Sequence, residues 1–173
     1  MLGGIITIMD KIKIKNIIIS KQGEESDNYS DFLELVKKHQ INVKMVHAGD
    51  KIKLDKSSYL YILWPTNKLI KENILNNNSI VAKFIYENTS ILFTGDIEEI
   101  AEKQIISKYE KTNILKSNIL KVAHHGSKSS SVEQFLNMVK PKIALIGVGE
   151  SNTFGHPNLG VLKRLKKLRC RYT

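Results

Sequence analysis

The stretch ILKVAHHGSKSSS, residues 119–131, decides how this chain is read. Ile119–Ala123 is an apolar run with strand character, and it opens directly onto His124 and His125, then Gly126 and a serine-rich loop. Two adjacent imidazoles at the mouth of a strand need partners before they can do chemistry. Two other strand ends offer them: FTGD, ending at Asp96, and FGHP, carrying His156. Strand ends are where α/β folds gather functional groups. A carboxylate with imidazoles is the donor set of Zn²⁺ or a similar divalent ion, which lowers the pKa of bound water toward neutrality.

Each of these residues alone has a plainer reading. Asp96 after Gly95 reads equally as a turn or the N-cap of the next helix. His124 and His125 read as one core-facing and one solvent-facing ring, His156 as a turn residue before Pro157, and Ser127–Ser131 with Lys128 as a solvated loop. Three separate strand ends carrying ligand types together favour the site. A Ser127–His–Asp96 triad lacks the G-x-S-x-G elbow, and no P-loop or G-x-G-x-x-G is present.

Around this segment the pattern predicts a β-rich first half and an alternating second half. Strands are expected over 14–20, 41–49, 51–54, 58–64, 79–86, 89–94, 118–123 and 142–149. Helices are expected over 32–40 capped by Ser30 or Asp31, over 97–110, over 132–140 capped by Ser130 or Ser131 with Glu133 in a capping box, and over 158–169. LIKENILNNNS, residues 69–79, reads as a loop, with NILNNNS its most biased part, and His39 and His47 as ordinary residues.

The 173 residues fit a single domain, and 27 Lys and Arg against 17 Asp and Glu give a net charge of +10. Such a charge attracts polyanions, yet the lysines are spread over every segment and Arg is confined to Arg164, Arg169 and Arg171. A lone Cys170 excludes an intrachain disulfide framework. No stretch reaches the ~20 apolar residues of a membrane span, and the start is a poor signal peptide, so a cytoplasmic location is the default expectation.

The order ILFTGDIE, LKVAHHGSKSSS, IALIGVGESNTFGHPNLGVLKRL resembles the metallo-β-lactamase-fold domain of ComEC-type DNA-internalisation proteins and their stand-alone relatives. NNNSIVAKFIYENTSILFTGD extends the resemblance. It implies an α/β fold, a four-layer αββα sandwich with the site along one edge. Asp96 resembles the metal-bridging aspartate and His124 the late histidine ligand, with His125 a second ligand or a proton-transfer group. Catalytic roles are implied for Asp96, His125 and His156, and substrate-side roles for Ser127, Lys128 and Asn78.

The family's principal motif, H-x-H-x-D-H, precedes a Gly-Gly pair, and here Met1 stands where its last histidine would be, ahead of Gly3-Gly4. The resemblance therefore implies one partial domain over residues 1–173, with weak or no Zn²⁺ or Mn²⁺ binding of its own. It also implies strand edges open to self-association, and little activity alone. The parent activity expected is hydrolysis of DNA or another phosphoester during uptake. ComEC-type parents are membrane proteins, so the resemblance implies a membrane-attached parent, while this chain itself is expected to make no membrane contact. A metal-free basic nucleic-acid-binding module or a degenerate remnant are the alternatives.

Overall fold

The computed structural model describes residues 2–9, 11–21 and 27–173. Met1, aligned above with a motif histidine, lies outside them. The chain forms two compact units, Met1–Val46 and His47–Thr173.

In the first unit, helix α1 (Leu2–Met9) is followed by strand β1 (Asn16–Ile19), helix α2 (Asp27–Lys38) and strand β2 (Asn42–Met45). β1 and β2 pair in parallel, Ile17 opposite Val43, as a strand–helix–strand crossover allows. Met9, Ile17, Phe32 and Ile41 form the core of this unit. The apolar start GGIITIM, residues 3–9, is helical. One expectation is corrected here. α2 starts at Asp27, so Ser30 and Asp31 lie within it rather than capping it.

The second unit is a seven-stranded mixed sheet in chain order: β3 (Lys51–Lys53), β4 (Ser58–Trp64), β5 (Val81–Tyr86), β6 (Thr89–Phe93), β7 (Ile119–Lys121), β8 (Ile143–Leu145) and β9 (Arg171–Tyr172). β3 to β6 are antiparallel meanders; β6 to β9 are parallel. The parallel part needs crossovers, supplied by α4 (Glu99–Tyr109), α5 (Glu133–Val139) and α6 (Leu159–Lys167). Leu92, Leu120 and Ala144, side by side on β6, β7 and β8, are buried with Ile105, Leu136 and Leu165 from the three helices. The β-rich first half and alternating second half follow the sequence pattern. The expected strand 142–149 is only Ile143–Leu145, and β9 has no sequence counterpart because its two residues carry no period. The NILNNNS loop holds one helical turn, α3 (Ile74–Asn77).

The expected capping box of α5 is replaced by a distant carboxylate. Glu102, fully buried in α4, accepts the Ser131 and Val132 backbone N–H groups at 2.6 and 2.8 Å. Arg164 of α6 donates from Nε and a terminal guanidinium nitrogen to the Ser131 and Ser130 carbonyls at 2.7 and 3.0 Å. One carboxylate and one guanidinium thus pin the serine loop to two helices.

Burial pushes Glu102 from the ordinary glutamate value of 4.5 up to about 7, against the pull of its two N–H donors and of Arg164. Between those pH values the folded chain keeps a proton that the unfolded chain releases. Stability therefore falls as pH rises through that window and is flat above it. Denaturant titrations at pH 5 and pH 8 should show that fall in the native chain, and Glu102→Gln should lack Glu102's share of it.

Candidate metal-site edge

β6, β7 and β8 are parallel, so their C-terminal ends lie along one edge of the sheet. The loops leaving that edge are FTGD, AHHGSKSSS and the 146–158 loop, the three segments that carry the site residues singled out from sequence.

The first loop turns at Gly95, whose φ is +55°. A Cβ there would stand 2.6 Å from the Ser79 Cβ, so only glycine lets the turn close on Ser79. The Ser79 hydroxyl then accepts the Asp96 N–H at 3.2 Å, and Gly95 carbonyl accepts the His124 N–H at 3.1 Å, joining the first loop to the second. Asp96 is left 7% exposed at the edge.

The second loop is a left-handed turn. His124, His125 and Gly126 have φ of +46°, +53° and +78°. Non-glycine residues in this region cost about 1–3 kcal/mol each and persist where surrounding structure imposes them. Here the imposition is visible. A Cβ on Gly126 would meet Pro157 Cβ at 2.8 Å, and Gly126 carbonyl accepts the Asn158 N–H at 2.9 Å. On an extended strand the two rings would point to opposite faces; the turn instead sets them 6.5 Å apart, centroid to centroid, and brings His124 within 6.0 Å of the His156 ring.

The two histidines are placed differently. His125 Nε2 lies 3.7 Å from Asp96 Oδ1. Its Nδ1 lies 2.5 Å from the Gly147 carbonyl, which can only accept, so Nδ1 carries a hydrogen and Nε2 is the ring nitrogen turned to Asp96. Fixing one ring nitrogen on a carbonyl is the usual way to orient a metal-binding imidazole. His124 faces Glu98 instead, Nδ1 to Oε1 3.4 Å, in an orientation that leaves Nδ1 buried without a hydrogen bond.

Glu98 had no place in the sequence reading. It is held by Asn73 at 2.7 Å, by Asn77 at 3.4 Å and by Ser129 Oγ at 3.1 Å. Its signature was the i, i+2 spacing from Asp96 and an asparagine-rich loop elsewhere in the chain. Lys121 was also missed. It is half-buried, its ammonium donates to the Val122 carbonyl at 3.0 Å, and burial lowers its pKa while Asp96 opposes the drop.

The other candidates fall into place as follows. His156 joins the cluster, its pKa lowered first by burial and then by His124 and His125. Its ring stacks on Phe154, centroids 5.9 Å apart. Ser127 is buried and pairs with Ser129 at 3.0 Å, not with a histidine, so the serine triad is not assembled. Lys128 is exposed on the same loop. Asn78 is 0% exposed, with its carboxamide engaged by Ile70 N–H and by the Ile70 and Ile74 carbonyls at 2.8–2.9 Å. That side chain holds the 70–78 loop together.

This fold and edge place the protein. A model of the metallo-β-lactamase superfamily matches residues 62–150, and the chain belongs to that superfamily. Its curated relatives include ComEC-type competence proteins. It is 28% identical over 155 residues to ComE operon protein 3 of Bacillus subtilis, covering 90% of this chain and 19% of that protein. It is 34% identical over 91 residues to competence protein ComA of Neisseria gonorrhoeae, covering 53% and 13%. The chain thus spans less than a fifth of the length of these relatives. A solved chain from Parabacteroides distasonis, described as a metal-dependent hydrolase, shares the fold with a TM-score of 0.52 at 14% identity, over 92% of this chain and 76% of that one.

The superfamily implies divalent metal, and the donor chemistry of Asp96 and His125 suits one. Among the described residues, however, no group of three or more His, Cys, Asp or Glu is placed to hold an ion, and a catalytic zinc takes about three protein donors. These residues do not complete a metal site.

Gly126→Ala should force Pro157 away and strain the histidine turn. Loss of about 2 kcal/mol corresponds to a drop of roughly 4–8 °C in melting temperature for a chain of this size. Gly149→Ala, whose added Cβ meets nothing within 4 Å, should melt with the native chain. Equal melting of all three would mean that the turn is not held by this contact.

Proposed function

We propose that this chain is the catalytic-edge part of a divalent-metal phosphodiesterase acting on DNA, and that Asp96 and His125 are the two metal donors it contributes. The observation that carries this reading is the 3.7 Å approach of His125 Nε2 to Asp96 Oδ1, with His125 Nδ1 tethered to the Gly147 carbonyl. Superfamily membership supports hydrolysis, and the competence proteins among its relatives support DNA as the substrate. His156, in contact with this pair through His124, is the candidate for proton transfer. Lys128, exposed beside the histidine turn, attracts the phosphate backbone. Ser127 and Asn78 act by holding the loops.

A basic-face reading without metal has less support. Of the C-terminal basic residues, Arg164 is spent on the Ser130 and Ser131 carbonyls, and Lys167 is paired with Glu133. Lys163, Lys166, Arg169 and Arg171 of that group remain exposed to a polyanion.

Two donors bind an ion weakly, so the chain alone should hydrolyse DNA slowly or not at all at micromolar metal. After loading with Zn²⁺ or Mn²⁺ and dialysis, elemental analysis should find well under one ion per chain. Titrated Mn²⁺ should bind more weakly still to Asp96→Asn and to His125→Ala, and unchanged to His156→Ala. Oligonucleotide binding that ignores chelator, with metal binding indifferent to Asp96→Asn, would overturn the reading in favour of a metal-free binding module.

A further inference from the structure

Beside the Asp96–His125 pair lies a cleft of about 450 Å³ whose walls include His125, Gly147, Val148, Phe154 and His156. Phe154 is the anomaly in it. It is 80% exposed, more than the other exposed large hydrophobics among the described residues, and it belongs to no hydrophobic cluster of them. It is nonetheless not a loose side chain on a loose loop. One face stacks on His156 at an interplanar angle of 27°. The loop beneath is braced by Asn152, whose carboxamide donates to the Gly149 and His156 carbonyls at 3.1 and 2.8 Å and accepts the His156 N–H at 3.0 Å. An aromatic face is thus held open toward solvent, on a braced loop, in the same cleft as the imidazole that faces Asp96.

We propose that Phe154 is a stacking platform for an unpaired nucleobase of the substrate, seating the base in this cleft while its phosphate lies toward His125 and Asp96. This rests on the phosphodiesterase reading for the identity of the ring. A planar base suits the site better than an aliphatic chain because the cleft presents ring faces, Phe154 backed by His156, with a partly exposed Val148 beside them. The platform is indifferent to base identity. The one carboxamide on the cleft wall is consumed by the loop's own backbone, and the Gly147 carbonyl is taken by His125, so neither is free to read a base edge. Stacking without edge readout is the sequence-tolerant mode of holding single strands. Bases within a duplex have their faces covered by neighbours, so the platform favours unpaired or terminal nucleotides.

The test is binding of dAMP, dCMP and 2-deoxyribose 5-phosphate to the full chain, followed by NMR shift changes, with indole as an apolar control. Phe154 is exposed, so Phe154→Ala should fold as the native chain does, and its spectrum checks this. The expected result is that both nucleotides bind about 5- to 150-fold more tightly than the sugar phosphate, the range that one stacked base gives. Phe154→Ala should abolish that difference, and Phe154→Tyr should keep it. Unchanged nucleotide affinity in Phe154→Ala, or binding of indole without binding of dAMP, overturns the platform; the latter points to an apolar partner instead. The outcomes also separate the two claims. Phe154-dependent stacking together with Mn²⁺ binding that is indifferent to Asp96→Asn and His125→Ala would sink the hydrolase reading and leave the platform standing. Mn²⁺ binding that depends on Asp96 and His125, with nucleotide affinity unchanged in Phe154→Ala, would do the reverse.

Discussion

The parallel pairing of β6, β7 and β8 is the constraint on which the site depends. An antiparallel β7 would send the AHHG turn to the opposite edge from FTGD, and no side-chain chemistry could then bring His125 to Asp96. Parallel pairing demands crossovers, and the three helices that make them also bury Leu92, Leu120 and Ala144 from one face of the sheet. The same segments that form the core therefore fix which loops meet. Thr94 tightens this junction by donating from Oγ1 to the Lys121 carbonyl at 2.6 Å, next to the point where both strands end.

On that edge the histidine turn is held in an unfavourable backbone region by contacts from several sides. Pro157 closes on Gly126, Gly95 carbonyl takes the His124 N–H, and Ser130 Oγ donates to the Ala123 and Ser127 carbonyls at 3.0 and 3.1 Å. Behind it, Glu102 and Arg164 tie the serine loop to α4 and α6. Backbone strain at His124 and His125, shared by Ser131 at φ +58° in the adjoining serine loop, persists because contacts from several sides over-determine the segment. The same packing sets His156 beside His124 and leaves Phe154 on the rim.

Much of this was legible in the chain. FTGD, AHHGS and FGHP announced themselves because glycine beside ligand-type residues at the end of an apolar run has few other uses, and the alternation of strand and helix after residue 89 carried clear periods. What could not be read depends on contacts distant in sequence. Glu98 matters because Asn73, Asn77 and Ser129 converge on it, and no local pattern joins residue 73 to residue 129. NILNNNS looked like a polar connector, yet Asn77 also accepts the Trp64 indole N–H through its carbonyl at 2.6 Å, and Asn78 clamps the loop from inside. The serine cap expected for α5 was displaced by a carboxylate 30 residues away from Val132. The choice between His124 and His125 as the partner of Asp96 was also hidden, because it turns on two left-handed backbone conformations that histidine rarely adopts.

The most direct measurement is the tautomer of His125, read from its ring ¹⁵N shifts by long-range nitrogen–proton correlation in the native chain and in Asp96→Asn. The expected result is a hydrogen fixed on Nδ1, held there by the Gly147 carbonyl in both proteins, so that Nε2 is the nitrogen turned to Asp96. A ring that carries its hydrogen on Nε2 alone, or an averaging mixture of the two tautomers, would mean that the turn does not present His125 to Asp96 and that the edge is not built as a ligand pair.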